Sequence, residues 1–302
     1  MASGALDTYY YYNGEGELTQ MWYPTTVGYG PGGAPETSTR GPIYNYSYDS
    51  MYRLSGMTME DPNNNITTVV NNVSYNAANQ LLGMTFNNIS ESRQYNTLGQ
   101  LTSLQDALAT SPFTAYVGRT YTYPTGTNNG KISSMSDSIS GETVTYAYDS
   151  LKRLVSASGT IQQTLQWDQS YVFDHFGNLL QKNIVGGILQ QPSTQLTVNT
   201  ANNWITSVSG LSYDANGNAL TSGVTYDVEN HMTAGGYYTY DGQNERIAAI
   251  NTGNYSCNPV PSYTISMYSP SGQKFGDYTF SPQYWQEDSV WWMETTASSS
   301  SQ

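Results

Sequence analysis

Two histidines, one cysteine and 23 carboxylates are the groups in this chain that could carry acid–base, nucleophilic or metal chemistry. Cys257 stands alone, so there is no disulfide framework and no zinc cluster of cysteines. No Gly-x-Ser-x-Gly nucleophile elbow occurs. Asp214-Ala-Asn216-Gly-Asn218 starts like a calcium loop. An EF-hand loop needs Gly where Ala219 stands and Glu where Thr225 stands. Paired carboxylates for glycoside hydrolysis meet in space rather than in sequence, and no pair here stands out. His175 and His231 fall at turn positions of a repeated motif, where a solvated side chain is expected. Trp285, Trp291 and Trp292, close to Tyr284, form the densest aromatic cluster outside the repeats. They fit either a sugar-stacking platform or, more simply, a strand packed on the last hairpins. The expectation is a non-enzyme with no cofactor and no metal.

These candidates all lie within or beside one repeating unit, an aromatic, then Asp or Asn, then a leucine-like residue six positions after the aromatic. The copies are Tyr12-Asn13 to Leu18, Tyr48-Asp49 to Leu54, Tyr75-Asn76 to Leu81, Tyr95-Asn96 to Leu101, Tyr148-Asp149 to Leu154, Phe173-Asp174 to Leu179 and Tyr226-Asp227 to Met232. Tyr213-Asp214 to Leu220 and Tyr240-Asp241 to Ile247 place the apolar residue one position later. Degenerate copies start at Tyr123, Asn199 and Tyr268, giving about a dozen hairpins.

The Asp or Asn accepts a nearby backbone N–H and opens a turn. Four positions after the aromatic come Gly16, Asn79, Gly99, Gly177, Gly217, Asn230 and Asn244, types that tolerate positive φ. Tyr52 and Lys152 break that pattern, which predicts a different turn there. The fifth position is polar in every copy, as for a side chain facing water. The aromatic ends one strand and the Leu opens the next, a cross-strand pair contributing ~0.2–1 kcal/mol. Flanks such as Thr143-Val-Thr-Tyr-Ala-Tyr148 alternate with period two and are rich in Tyr, Thr and Val. No stretch holds a helical period over ten residues. The chain reads as all-β, repeated hairpins forming an elongated, spiralling ribbon or partial shell.

Leu, Ile, Val and Phe make 51 of 302 residues, and the formal charge is −13, a balance that ordinarily signals disorder. The 28 Tyr and 6 Trp supply the missing apolar area. A Tyr core is semi-polar, because every hydroxyl needs a partner, and suits a thin sheet. The acidic balance argues against nucleic acid. No run is apolar enough for a membrane span, and residues 1–20 lack a signal-peptide core. The organisation expected is one repeat domain, 1–296, with a loop insertion at 28–42 and a low-complexity, disordered tail at 297–302.

The units resemble the YD repeats of the Rhs family, which includes bacterial Rhs and wall-associated proteins, the shell component of Tc toxins and the teneurins. Tyr148-Asp149-Ser-Leu-Lys-Arg-Leu154, Phe173-Asp174-His-Phe-Gly-Asn-Leu179 and Tyr213-Asp214-Ala-Asn-Gly-Asn218 carry the likeness, which spans residues 9 to 280. The order from Tyr226 to Phe275 is similar to the end of an Rhs core. The resemblance implies a hairpin ribbon wound into a hollow shell that encloses a C-terminal toxic domain. Family self-cleavage uses an Asp-Pro-x-Gly region. Here Ser269-Pro270-Ser271-Gly272 has Ser in place of the Asp, and Asp61-Pro62 is followed by Asn-Asn, so cleavage does not transfer. The role expected is a structural shell segment of a longer secreted or cell-surface product, with an enclosed toxin domain or delivery machinery as partner. The alternative is a glycan- or protein-binding module.

Overall fold

The computed structural model describes residues 7–29, 35–112, 114–189, 192–221, 223–234, 237–251, 262–268, 272–287 and 290–300. Every regular element among them is a β-strand, and every strand pairing is antiparallel. The chain divides into two compact units. One comprises Tyr9–Trp22 with Pro42–Ser207, the other Tyr23–Gly41 with the described part of Val208–Gln302.

The first unit is a single 15-stranded sheet that meanders from Tyr9–Tyr12 to Thr194–Gln195 without closing on itself. Consecutive strands are joined by turns at alternate edges. All the aromatic–Asp/Asn turns of this sheet therefore fall on one edge. Asn87-Asn88 and Gln162-Gln163, with both residues of each pair at positive φ, make two-residue turns on the other.

Each repeat hairpin has the same register. Tyr48 lies opposite Leu54, Tyr95 opposite Leu101, Tyr148 opposite Leu154 and Phe173 opposite Leu179. The next residue after the leucine is skipped by the ladder as a β-bulge, for example Thr102 between Leu101 and Ser103. A bulge at the same place in successive hairpins adds twist in the same sense each time.

Among the described residues, buried apolar side chains are few in this unit: Met21, Ile43, Val69, Val70, Val144 and Ala157. Most Tyr and Leu of the repeats are half-buried. The sheet is thin, as its Tyr-rich composition demands, and polar links between hairpins supplement its small apolar core.

The second unit contains the hairpin of Thr26–Tyr29 and Pro35–Thr39, two further two-stranded sheets and a five-stranded sheet from Tyr237–Tyr240 to Val290–Ser300. The stretch read as a loop insertion thus carries a strand pair. Ser298, Ser299 and Ser300 pair with Thr279, Tyr278 and Asp277, so strand structure extends into the tail expected to be disordered. Here Tyr213 faces Ala219 and Tyr240 faces Arg246, not the later Leu220 and Ile247. Hairpin length is fixed by the turn, and in the second of these Ile247 falls at the bulge.

Candidate functional site: the hairpin-turn ladder

One turn shows how all of them are built. Asp49 Oδ1 accepts the amides of Met51 at 2.8 Å and Arg53 at 3.0 Å, while Oδ2 accepts Arg53 Nε at 2.8 Å. Asn96 does the same with the amides of Leu98 and Gln100, both at 3.0 Å, and its Nδ2 donates to Gln100 Oε1 at 2.8 Å. Tyr52 (φ 61°) and Lys152 (φ 64°) adopt the same left-handed conformation as Gly99 (φ 74°) and Gly177 (φ 92°). The different turn expected at the two Arg units is therefore not found. Asp49 and Asp149 each hold an arginine and two amides, which stabilises the turn against the cost of a non-glycine residue at positive φ.

The residues one and five positions after the aromatic follow a donor–acceptor rule. Asp is paired with a donor (Arg53, Asn65, Arg153, Asn178, Asn218, His231) and Asn with an acceptor (Glu17, Gln80, Gln100). The carboxylates are held ionised. Arg53 lowers the pKa of Asp49, the Arg153 amide that of Asp149, and the Asn178 and Asn218 side chains those of Asp174 and Asp214. Asp214-Ala-Asn216-Gly-Asn218 is such a turn, its carboxylate already occupied by Asn216 and Asn218.

The rule also exposes a unit that the aromatic pattern missed. Glu60 faces Ile66 around Asp61, whose carboxylate takes the amides of Asn63 and Asn65, with Asn64 at φ 63°. An Asp four residues before an Asn was the signal available. In the other direction, Asp241 faces Glu245, and Glu245 Oε2 is buried without a partner. Replacing Glu245 with Asn, as Asp61, Asp174 and Asp214 have, is expected to add about 1 kcal/mol of stability and so raise the melting temperature. An unchanged or lower melting point would break the rule.

Seven fifth-position side chains, Arg53, Gln80, Gln100, Arg153, Asn178, Asn218 and His231, do not simply face water as the sequence suggested; they reach the following hairpin. Arg53 donates to Asn79 Oδ1 at 3.1 Å and lies over the Tyr75 ring at 4.5 Å. Arg153 donates to the Asp174 carbonyl at 2.8 Å and lies over the Phe173 ring at 5.1 Å. Gln80 donates to the Gly99 carbonyl at 2.7 Å, Gln100 pairs with Asn128, and Asn178 donates to Asn203. The degenerate units at Tyr123 and Asn199 have longer loops yet still supply this contact.

A second ladder runs through the tyrosines. Tyr48 Oη donates to the Leu18 carbonyl at 2.8 Å, Tyr75 to Leu54 at 2.9 Å, Tyr95 to Leu81 at 3.0 Å and Tyr123 to Leu101 at 3.0 Å. In the second unit Tyr226 donates to Ala219, Tyr240 to Met232 and Tyr268 to Arg246. Each of these seven hydroxyls thus satisfies the carbonyl of the residue six places after the previous aromatic. Burial keeps the Tyr48 and Tyr123 hydroxyls above their usual pKa, so both remain donors.

Catalytic candidates are dispersed. His175 is exposed in its turn, whereas His231 is buried, contrary to the solvated side chain expected. Cys257 lies outside the described residues. Trp285 lies opposite Trp292, and Trp291 opposite Gln286, in the backbone register; their side chains lie outside what is described. Among the described residues no three His, Cys, Asp or Glu side chains gather as a metal site. Glu91 and Asp106 face each other across adjacent strands, and burial with the Glu91 charge raises the Asp106 pKa. Arg93 holds Glu91 at 2.6 Å. Grooves of about 240 and 400 Å³ both include Gln105 in their walls, and alternation along the strand puts Gln105 on the opposite face from Asp106.

The fold and its ladders define an all-β ribbon of YD-type hairpins, and similar ribbons occur in solved toxin structures. The Photorhabdus luminescens Tc holotoxin pore, with a substitution in TccC3, matches at a TM-score of 0.66 and 17% identity, over 89% of this chain and 17% of that one. The TcdB2–TccC3 crystal structure matches at 0.61 and 17% identity, over 90% of this chain and 17% of its own. TcdB2–TccC3 without its hypervariable C-terminal region matches at 0.59, with the same identity and coverage. The likeness therefore persists without the hypervariable region. The chain spans about a sixth of the length of these matched chains. No family profile and no curated protein matches the sequence. The hairpin fold is similar to that of the Tc toxin structures, as the likeness of the repeats to YD repeats led one to expect.

Proposed function

We propose that this chain is a non-catalytic wall segment of a YD-repeat shell that encloses or presents another domain, in a longer secreted or cell-surface product. One observation carries the reading: successive hairpin turns of the 15-stranded sheet are tied together by side chains that also close their own turns. The 15-stranded sheet built this way does not close on itself. Exposed apolar residues add support. Met51 (57% exposed), Leu98 (70%), Leu151 (67%) and Phe176 (67%) occupy the same turn position along one edge of the 15-stranded sheet. Such a row suits an edge covered by more of the shell. The turn aspartates, held ionised and saturated with donors, are poorly suited to act as general acids.

The partner class implied is a toxin domain or its delivery machinery, by analogy with the TcdB2–TccC3 assembly. No helix among the described residues is long and apolar enough to cross a membrane. An antibody against this segment should detect, in source cells, a product much larger than 33.2 kDa. Limited proteolysis of that product should leave a second domain protected. A 33-kDa product with nothing protected would overturn the reading. It would favour the glycan-binding alternative, in which Trp285, Trp291 and Trp292 respond by fluorescence to added oligosaccharide.

A further inference from the structure

Among the described residues of the turn ladder, His231 is the ionisable link whose charge changes near neutral pH, and its surroundings differ from those of a solvated histidine. It is 9% exposed. Its Nδ1 lies 3.1 Å from Asp227 Oδ2 and its Nε2 lies 2.9 Å from Asn244 Oδ1. Glu229 Oε2 is 3.6 Å from Nδ1. The imidazole stacks on the Tyr240 ring at 4.3 Å with the planes 9° apart.

The two residues it bridges belong to different sheets. Asp227 lies in the turn of the two-stranded sheet Thr225–Tyr226 and Met232–Ala234, while Asn244 lies in the first turn of the five-stranded sheet. The hydrogen bond from Tyr240 Oη to the Met232 carbonyl, which also crosses this junction, is long at 3.4 Å. Equivalent positions elsewhere hold Arg53 and Arg153, permanently charged side chains that donate in two directions at once. An imidazolium can do the same, with one N–H for each acceptor. A neutral imidazole has one N–H and loses the charge that Asp227 and Glu229 attract.

We propose that His231 is a proton-operated latch joining these two sheets, closed when the imidazole is charged and loosened when it is neutral. The groups around it favour the closed state. Asp227 and Glu229 on its own turn are acidic, and the following hairpin contributes Tyr240, Asp241 and Glu245. The cation of that hairpin, Arg246, is over the Tyr238 ring at 5.0 Å. Asp214, in the preceding turn, is taken up by Asn218. The hydrogen bond to Asn244, then that to Asp227 and the acidic charges, raises the His231 pKa above 6.5. A raised folded-state pKa gives stability that is complete below the unfolded value and lost as pH rises through the folded one. The latch therefore opens on going from mildly acidic to alkaline conditions. That window is separate from the acid limb below about 3.8, where the depressed turn aspartates become protonated.

Hydrogen–deuterium exchange of the full chain at pH 5.5 to 8.5, corrected for intrinsic exchange, tests this directly. Protection of the amides in 237–250 should fall with rising pH. The fall should reach tenfold for each pKa unit separating folded from unfolded His231. His231→Arg should keep protection high and flat across the range, and His231→Gln should keep it low and flat. Wild-type protection that does not change with pH would overturn the proposal. So would the wild-type slope persisting in either variant, each of which removes the titrating group.

Discussion

Gly159→Ala is expected to lower the stability of the 15-stranded sheet by about 2–3 kcal/mol, a value typical of over-packing in a closed site. Gly159 is buried in Leu154–Ile161, opposite Val144 on one side and Trp167 on the other. A Cβ there would sit 2.3 Å from Trp167 Nε1, 2.6 Å from Trp167 Cε2 and 2.5 Å from Glu142 Oε1. Those atoms cannot part cheaply, because Trp167 Nε1 donates to Glu142 Oε1 at 2.8 Å. Moving the indole breaks that bond and strands a half-buried carboxylate. Gly186→Ala is the matched control: it meets Leu165 Cδ2 at 3.4 Å, an ordinary contact, and should melt within about 0.5 kcal/mol of wild type. Thermal melts that place the two variants together would show that the indole yields without cost.

The second large effect is purely conformational. Gly177 has φ 92° and no atom within 4 Å of where a Cβ would stand. Gly177→Val meets no steric obstacle from neighbours, yet a β-branched residue in this region costs of order 1–3 kcal/mol. Gly177→Asn should lose much less, since Asn79, Asn230 and Asn244 occupy the same turn position at φ 61° to 67°. Melting the pair separates backbone strain from lost packing. Equal destabilisation by Val and Asn would mean that the positive φ is not what the turn requires.

These two glycines also show how differently structure can be legible. Gly177 could be assigned from sequence because its demand is local: an aromatic, an Asp, and a residue free to turn left, repeated many times. Gly159 carries no such mark. Its constraint comes from Trp167 and Glu142 on the two flanking strands, contacts set by register and bulge positions.

The turn ladder falls between these cases. The polar residue five places after the aromatic was visible in every copy, but its partner was misread as water. A polar side chain looks the same in sequence whether it faces solvent or the next hairpin. Only the sheet, by setting hairpins side by side, brought Arg53 over Tyr75 and Arg153 over Phe173. Likewise His231 looked like a solvated turn residue until stacking on Tyr240 and the approach of Asn244 buried it.

The sequence by itself therefore determined the all-β class, the position of most repeat hairpins and the Asp or Asn that opens each of them, but not the Asp61 turn or the residues that close the turns after Tyr213 and Tyr240. The features it determined follow from conformational preferences acting over seven residues. It did not determine which hairpins share a sheet, where the 15-stranded strip gives way to the smaller sheets, or which polar groups bind one another between units. Those depend on distances between residues some 20 positions apart, and tertiary structure alone sets them.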